Sequence, residues 1–210
     1  MKTDDLITAL QADSAARATQ LATVWKIAFV AALVAAALVF FAMLGPRPDM
    51  AEAMGTMRFP FKFVVTIALA ASAAPILFLL AQPGQRWSAV ALLAAPVIVA
   101  LGACVELFTL PADAIKSAWI GTNSMLCMTF IPLIGLAPLG IFLAALRYAA
   151  PTRPALSGAV AGLLAGGIAA TFYAAHCFDD SPLFVGTWYT LAVLGLAALG
   201  ALAGRLLLRW

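Results

Sequence analysis

The chain has 210 residues, 65% of them hydrophobic and 10% charged, with a formal net charge of +3. A typical soluble domain is about 25% charged, so this composition excludes a soluble globule. The modest, scattered positive charge also gives no basis for direct nucleic-acid contact, which needs a concentrated basic footprint.

Residues 1–24 (MKTDDLITALQADSAARATQLATV) come first and are fairly polar. No short cleavable signal pattern opens the chain. Thr3 can cap a helix, and Asp4 and Asp5 fall in its first turn, where negative charge suits the dipole. Leu6, Ile7, Leu10 and Leu21 form part of an apolar stripe, with Asp13 and Arg17 as an i,i+4 pair. Such a segment can lie on a membrane surface, lead into the first span, or bury its stripe in a cytoplasmic partner.

Six apolar runs follow, at 25–44, 63–81, 87–108, 119–146, 156–175 and 183–208. Each approximates the ~20 residues needed to cross a bilayer. The expected fold is all-α, a polytopic bundle of six transmembrane helices preceded by a short cytoplasmic N-terminal helix. The expected organisation is a cytoplasmic amphipathic segment at 1–24 and a transmembrane domain at 25–210. Pro132 and Pro138 are expected to break the fourth span, because proline removes a backbone donor and disturbs the preceding turn. Gly158, Gly162 and Gly166 recur every fourth residue in the fifth span. Gly195, Gly200 and Gly204 repeat the device in the sixth. Both stripes favour close helix packing, within the chain or across a dimer.

Charge gives a direction. With the amino terminus inside, Lys2, Arg17, Lys26, Arg86, Arg147, Arg153, Arg205 and Arg209 all face the cytoplasm. Arg47, Arg58, Lys62 and Lys116 face out. The positive-inside rule therefore favours cytoplasmic termini. Arg58 and Lys62, near the outer end of the second span, are expected to snorkel to head groups. Trp25, Trp87, Trp119, Trp188 and Trp210 lie near span ends, where indole suits the interface.

This topology places Cys104, Cys127 and Cys177 toward one side, with His176 next to Cys177 in HCFDDSP. Two chemistries fit thiols there. One is redox pairing in an oxidising compartment. The other is binding of a soft or borderline metal ion, for which Cys104, Cys127, Cys177 and His176 are four candidate ligands. No Cys-x-x-Cys pair is present, and a buried cysteine can be a small hydrophobe. No nucleophile elbow, phosphate loop or zinc-protease motif occurs, so no catalytic residue is assigned and no enzyme is expected. A small transporter for a metal or other solute is the alternative. It would need a polar path that these helices do not obviously supply.

Four stretches carry a further signal: MKTDDLITALQAD, RFPFKFVVT, CMTFIPLIGLAP and APTRPALSGAVAGLLAGGIAATFYAAHCFDDSPLFVGTWYT. They resemble the NrsF-type membrane proteins over essentially the whole chain, most specifically from Cys127 to Thr190. The resemblance implies an anti-sigma factor of the bacterial inner membrane that holds an extracytoplasmic-function sigma factor inactive. Heavy-metal or oxidative stress would relieve the hold. The helix around Asp4, Asp5, Leu6 and Leu10 would contact the sigma factor. Cys127 and Cys177 match the family's cysteine motifs and would be the sensor residues, with Cys104 added from topology. No cofactor is required, although a metal ion is one candidate stimulus. The implied partners are the sigma factor and the lipid bilayer.

Overall fold

A computed structural model describes residues 3–149 and 151–208, giving backbone alone for 4–19. Helix α1 runs unbroken from Thr3 to Met43. The amino-terminal segment is therefore no separate short helix; it continues the first span, whose apolar part is Gln20–Met43. No Gly or Pro interrupts residues 3–43, so no residue forces a break between the two. Ala28, Ala32, Ala36 and Phe40 recur every fourth residue and are buried, whereas Ile27, Val34, Leu38 and Phe41 on other faces are exposed. This one-sided burial fits a span at the bundle's edge, packed on its neighbours along a single stripe.

A loop with the short helix α2 (Met50–Ala53) leads to α3 (Arg58–Leu80). A 3₁₀ turn at Ala89–Leu93 opens the third span and continues as α4 (Ala94–Thr109). The fourth span divides into α5 (Ala112–Ile120) and α6 (Ser124–Arg147). Its break is at Gly121, not at the prolines: α6 stays helical through Pro132 and Pro138. Gly121 has φ +60, and a Cβ there would strike Phe184 and Asp179, so the turn requires glycine. Within a bundle, neighbouring helices and local adjustment let a helix carry proline.

Helix α7 (Pro154–Ala174) is the centre of the bundle. It packs on α1, α3, α6 and α9 (Thr190–Leu207). The last span begins as the short turn α8 (Pro182–Phe184), passes through a π-helical turn at Val185–Tyr189, and continues as α9. The stripe of α7 meets Gly200 and Gly204 of α9 within one chain, whereas Gly195 lies off the contact, with nothing within 4 Å of where its Cβ would be. A Cβ on Gly158 would land on the Gly200 carbonyl, and one on Gly162 on the Leu196 carbonyl. The two backbones touch, which only glycine permits, and this packing substitutes for a hydrophobic driving force that lipid does not supply.

Trp25 is buried, stacked on Phe142 at 6.1–6.3 Å from that ring and Phe78, so it packs the bundle instead of marking its rim. Trp210 lies outside the described residues. By alternation of the six spans, the loop 44–57, the short α5 with the turns on either side of it (110–123), and the segment 175–181 share the end of the bundle opposite Thr3 and Leu207.

Candidate functional site

At that end, the segment from His176 to Ser181 is bonded to every neighbouring connection. The Arg47 amide donates to the Ala175 carbonyl at 3.0 Å. His176 Nδ1 lies 2.9 Å from the Gly45 carbonyl. A carbonyl can only accept, so Nδ1 carries the proton. Arg47 spans the gap. Its Nε and Nη2 donate to the Asp49 carboxylate at 2.7 and 2.6 Å, and its Nη1 reaches Asp180 at 3.1 Å and the Cys177 carbonyl at 3.3 Å. The guanidinium also lies over the Phe178 ring, 4.6 Å from its centroid. The hydrogen bond from Arg47 holds the Asp49 carboxyl below its ordinary pKa, and the Arg47 pKa is raised in return, chiefly by the same bond.

Lys62 comes from α3. Its side chain is 0% exposed. Its Nζ sits 2.5 Å from Asp180, donates to the Cys177 carbonyl at 2.8 Å, and lies 5.0 Å from the Phe59 ring centroid. The expectation that Lys62 snorkels to head groups is therefore wrong. Asp180 and the Cys177 carbonyl supply inside the bundle what the interface would have supplied outside it. Arg58, half-exposed, pairs with Glu106 Oε1 at 3.1 Å. Glu106 is buried on α4, and its Oε2 accepts from Ser181 Oγ at 2.5 Å and the Leu183 amide at 3.1 Å. Three cations thus meet three carboxylates, leaving the cluster balanced.

Asp179 does a different job. Its carboxylate accepts from the Thr122 and Asn123 amides at 3.0 and 2.7 Å and from Asn123 Nδ2 at 3.0 Å. It caps α6 from 56 residues away, placing negative charge at a helix amino terminus with free amide donors. Trp119 and Trp188 tie α5 to the last span: Trp119 Nε1 donates to Thr187 Oγ1 at 2.8 Å, and Trp188 Nε1 to the Trp119 carbonyl at 3.0 Å.

The thiols lie against this cluster. Cys127 on α6 and Cys177 in the segment are both buried and belong to one apolar cluster with Tyr173 and Tyr189. The Cys177 Sγ points at the Asp179 carbonyl, 3.7 Å away. Burial pushes the Cys177 pKa up, so this thiol is neutral at ordinary pH. The hydroxyls of Tyr173 and Tyr189 find no well-aligned partner among the described residues. Cys104 is elsewhere, exposed on α4. Among the described residues no group of three or more His, Cys, Asp or Glu side chains is placed to hold a metal ion. The donor set Cys104, Cys127, Cys177 and His176 is thus not assembled, and His176 is bonded to Gly45. All three cysteines are free thiols. The side chains of Asp4, Asp5, Leu6 and Leu10 lie outside the described residues.

The family model described as negative regulator of sigma F matches residues 10–210. The chain belongs to the NrsF family. It is 38% identical over 218 residues to the anti-sigma-F factor NrsF of Caulobacter vibrioides (strain NA1000 / CB15N), with both chains covered in full. It is 34% identical over 220 residues to the probable anti-sigma-F factor NrsF of Azospira oryzae (strain ATCC BAA-33 / DSM 13638 / PS), again over the whole of each. No solved structure matches. Membership places this NrsF-family chain among regulators and not enzymes. Sequence reasoning singled out HCFDDSP for its cysteine, with Glu106 and the two aspartates as neighbours, and missed Arg47 and Lys62 as the partners of its Asp180. A signal was present: a lysine inside an apolar span calls for an acid, and Asp180 was available.

Proposed function

We propose that this NrsF-family protein is an anti-sigma factor that holds an extracytoplasmic-function sigma factor inactive at the bacterial inner membrane, with both termini in the cytoplasm. The family assignment supports the regulatory role. The amino-terminal helix around Asp4, Asp5, Leu6 and Leu10 is the sigma-binding element in this reading, and residues 1–24 act as its cytoplasmic segment. Release follows heavy-metal or oxidative stress sensed at Cys127 and Cys177, with Cys104 a lesser candidate.

The observation that carries the coupling is α1. Its 41 residues form one helix, roughly 62 Å long at 1.5 Å per residue. Its far end runs into Gly45, whose carbonyl is bonded to His176 beside Cys177. A change at Cys177 therefore has a rigid element through which to reach residues 3–20. Oxidation would join the Cys127 and Cys177 sulfurs, with two protons and two electrons passing to the oxidant. A thiophilic ion would instead replace the two S–H protons. Either event biases a bundle with two packings of different sigma affinity, as coupling between sites requires.

Capture of cytoplasmic proteins by the membrane-embedded chain, intact and lacking residues 1–20 at equal expression, tests the reading. A sigma factor recovered by the intact form alone supports it. No sigma factor recovered, with the protein folded and correctly oriented, overturns it. For the sensing step, unchanged stress release in both Cys127→Ser and Cys177→Ser would remove the thiols from the mechanism.

A further inference from the structure

We propose that the groove between α3 and α4 is a phospholipid site, with the lipid phosphate on Arg58 and one acyl chain laid along the groove. The groove encloses a cavity of about 410 Å³. Its floor is Phe61 against Gly102, where a Cβ would collide with the ring. Ile98, Leu101 and Val105 form its α4 wall, and Met57 and Arg58 close its upper end. Leu101, Val105 and Met57 are exposed, so the groove opens to the surrounding lipid.

Length and charge both fit this occupant. From Thr109 to Ile98 the α4 wall falls through eleven residues, roughly 16 Å. One leaflet of a hydrocarbon core about 30 Å thick is ~15 Å deep. The groove thus has the depth of one acyl chain and ends where Arg58 begins the span. Arg58 is half-exposed, and its ion pair with Glu106 runs through Nη2. A guanidinium has five N–H donors in a planar fork, so donors remain for a phosphodiester approaching from the exposed side. Glu106 also lines the groove, beneath Arg58, but its side chain is buried and its Oε2 is taken up by Ser181 and Leu183, so the exposed face offered to a head group is the guanidinium. A phosphate on Arg58 would therefore share its cation with the carboxylate that ties α4 to the HCFDDS segment, linking lipid occupancy to the polar cluster.

The full chain in bilayers, with a phosphatidylglycerol probe carrying a photoreactive acyl chain, tests the site. Labelling should concentrate on the α3 and α4 peptides that line the groove. Arg58→Gln should weaken it about tenfold, the scale of one charge-assisted hydrogen bond. A diacylglycerol probe of the same chains should label these peptides equally weakly in both proteins. Inorganic phosphate should not compete. Leu101→Trp fills the groove from its open side, leaves the Arg58–Glu106 pair intact, and should also abolish the focused labelling. It decides the matter if Arg58→Gln does not fold. Labelling spread evenly over the lipid faces of α1 and α9 overturns the site. So do equal labelling by diacylglycerol, loss of labelling to inorganic phosphate, or indifference to Leu101→Trp in a folded protein.

Discussion

The α7–α9 seam and the flank formed by α4 and the more polar α5 are held in opposite ways. In the α7 span 67% of the most apolar stretch is buried, in the α4 span 11%. The seam is fixed by contact between backbones. The flank is fixed at its end, by Glu106 to Ser181 and Arg58 and by Trp119 to Thr187. Apolar sequence places a helix in lipid, whereas its position in the bundle comes from glycine where backbones touch and is secured by polar bonds where they do not.

The largest test of that contrast is Gly162→Leu. Its side chain must enter the Leu196–Ala197 backbone, so overpacking should cost more than about 3 kcal/mol and leave little folded protein. Gly195→Ala on the open face of α9 meets nothing within 4 Å and should be neutral or stabilising by up to ~1 kcal/mol. Thermal unfolding of the two purified variants reads the difference, and equal stabilities would show that the seam is not the bundle's anchor.

Asp180→Ala comes next. It removes the carboxylate from fully buried Lys62 and from Arg47, and breaking such a pair costs about 3–5 kcal/mol. Lys62→Met combined with Asp180→Asn should recover much of that loss, because no uncompensated ammonium then remains buried. A denaturation double-mutant cycle measures it. A loss below ~1 kcal/mol for Asp180→Ala would place the strength of this end elsewhere.

Glu106→Gln should act on the flank alone. Ser181 and Leu183 keep a neutral acceptor, and Arg58 turns to solvent or lipid head groups. The global cost should be about 1–2 kcal/mol. Amide exchange should rise along α4 and stay unchanged in α7. Equal rises in both helices would mean that flank and seam are one cooperative unit.

Much of this contrast could be read from residue order. Hydropathy alone locates six spans, and four-residue glycine spacing marks the seam, because both depend on local periodicity. The proline positions mislead, since whether Pro132 and Pro138 break α6 depends on neighbours that sequence does not show. The π-helical turn at Val185–Tyr189 has no local signature and arises where Tyr189 and Phe184 pack into the thiol cluster. The polar cluster was hidden for another reason. Arg47 and Asp180 are separated by 133 residues, and only the crossing of two loops brings them together. His176 and Cys177 stood out by residue type, while Asp179 and Ser181 beside them owe their roles to α6 and α4.

The smallest effect concerns the most exposed carboxylate of the cluster. Asp49 is held below its ordinary carboxyl pKa by the hydrogen bond from Arg47. A depressed carboxyl binds fewer protons folded than unfolded, so its stabilisation is fully present above the unfolded value of about 3.9. It is lost as pH falls through the lower folded value. Stability attributable to Asp49 should therefore be flat from pH 5 to 8 and decline only in acid. Asp49→Asn should flatten part of that acid decline and leave the neutral range parallel to the parent. Thermal unfolding of both proteins across pH 3 to 8 checks this. Curves that diverge near neutrality would mean that the contribution of Asp49 does not follow its own titration, and that its pairing with Arg47 is not what holds this loop.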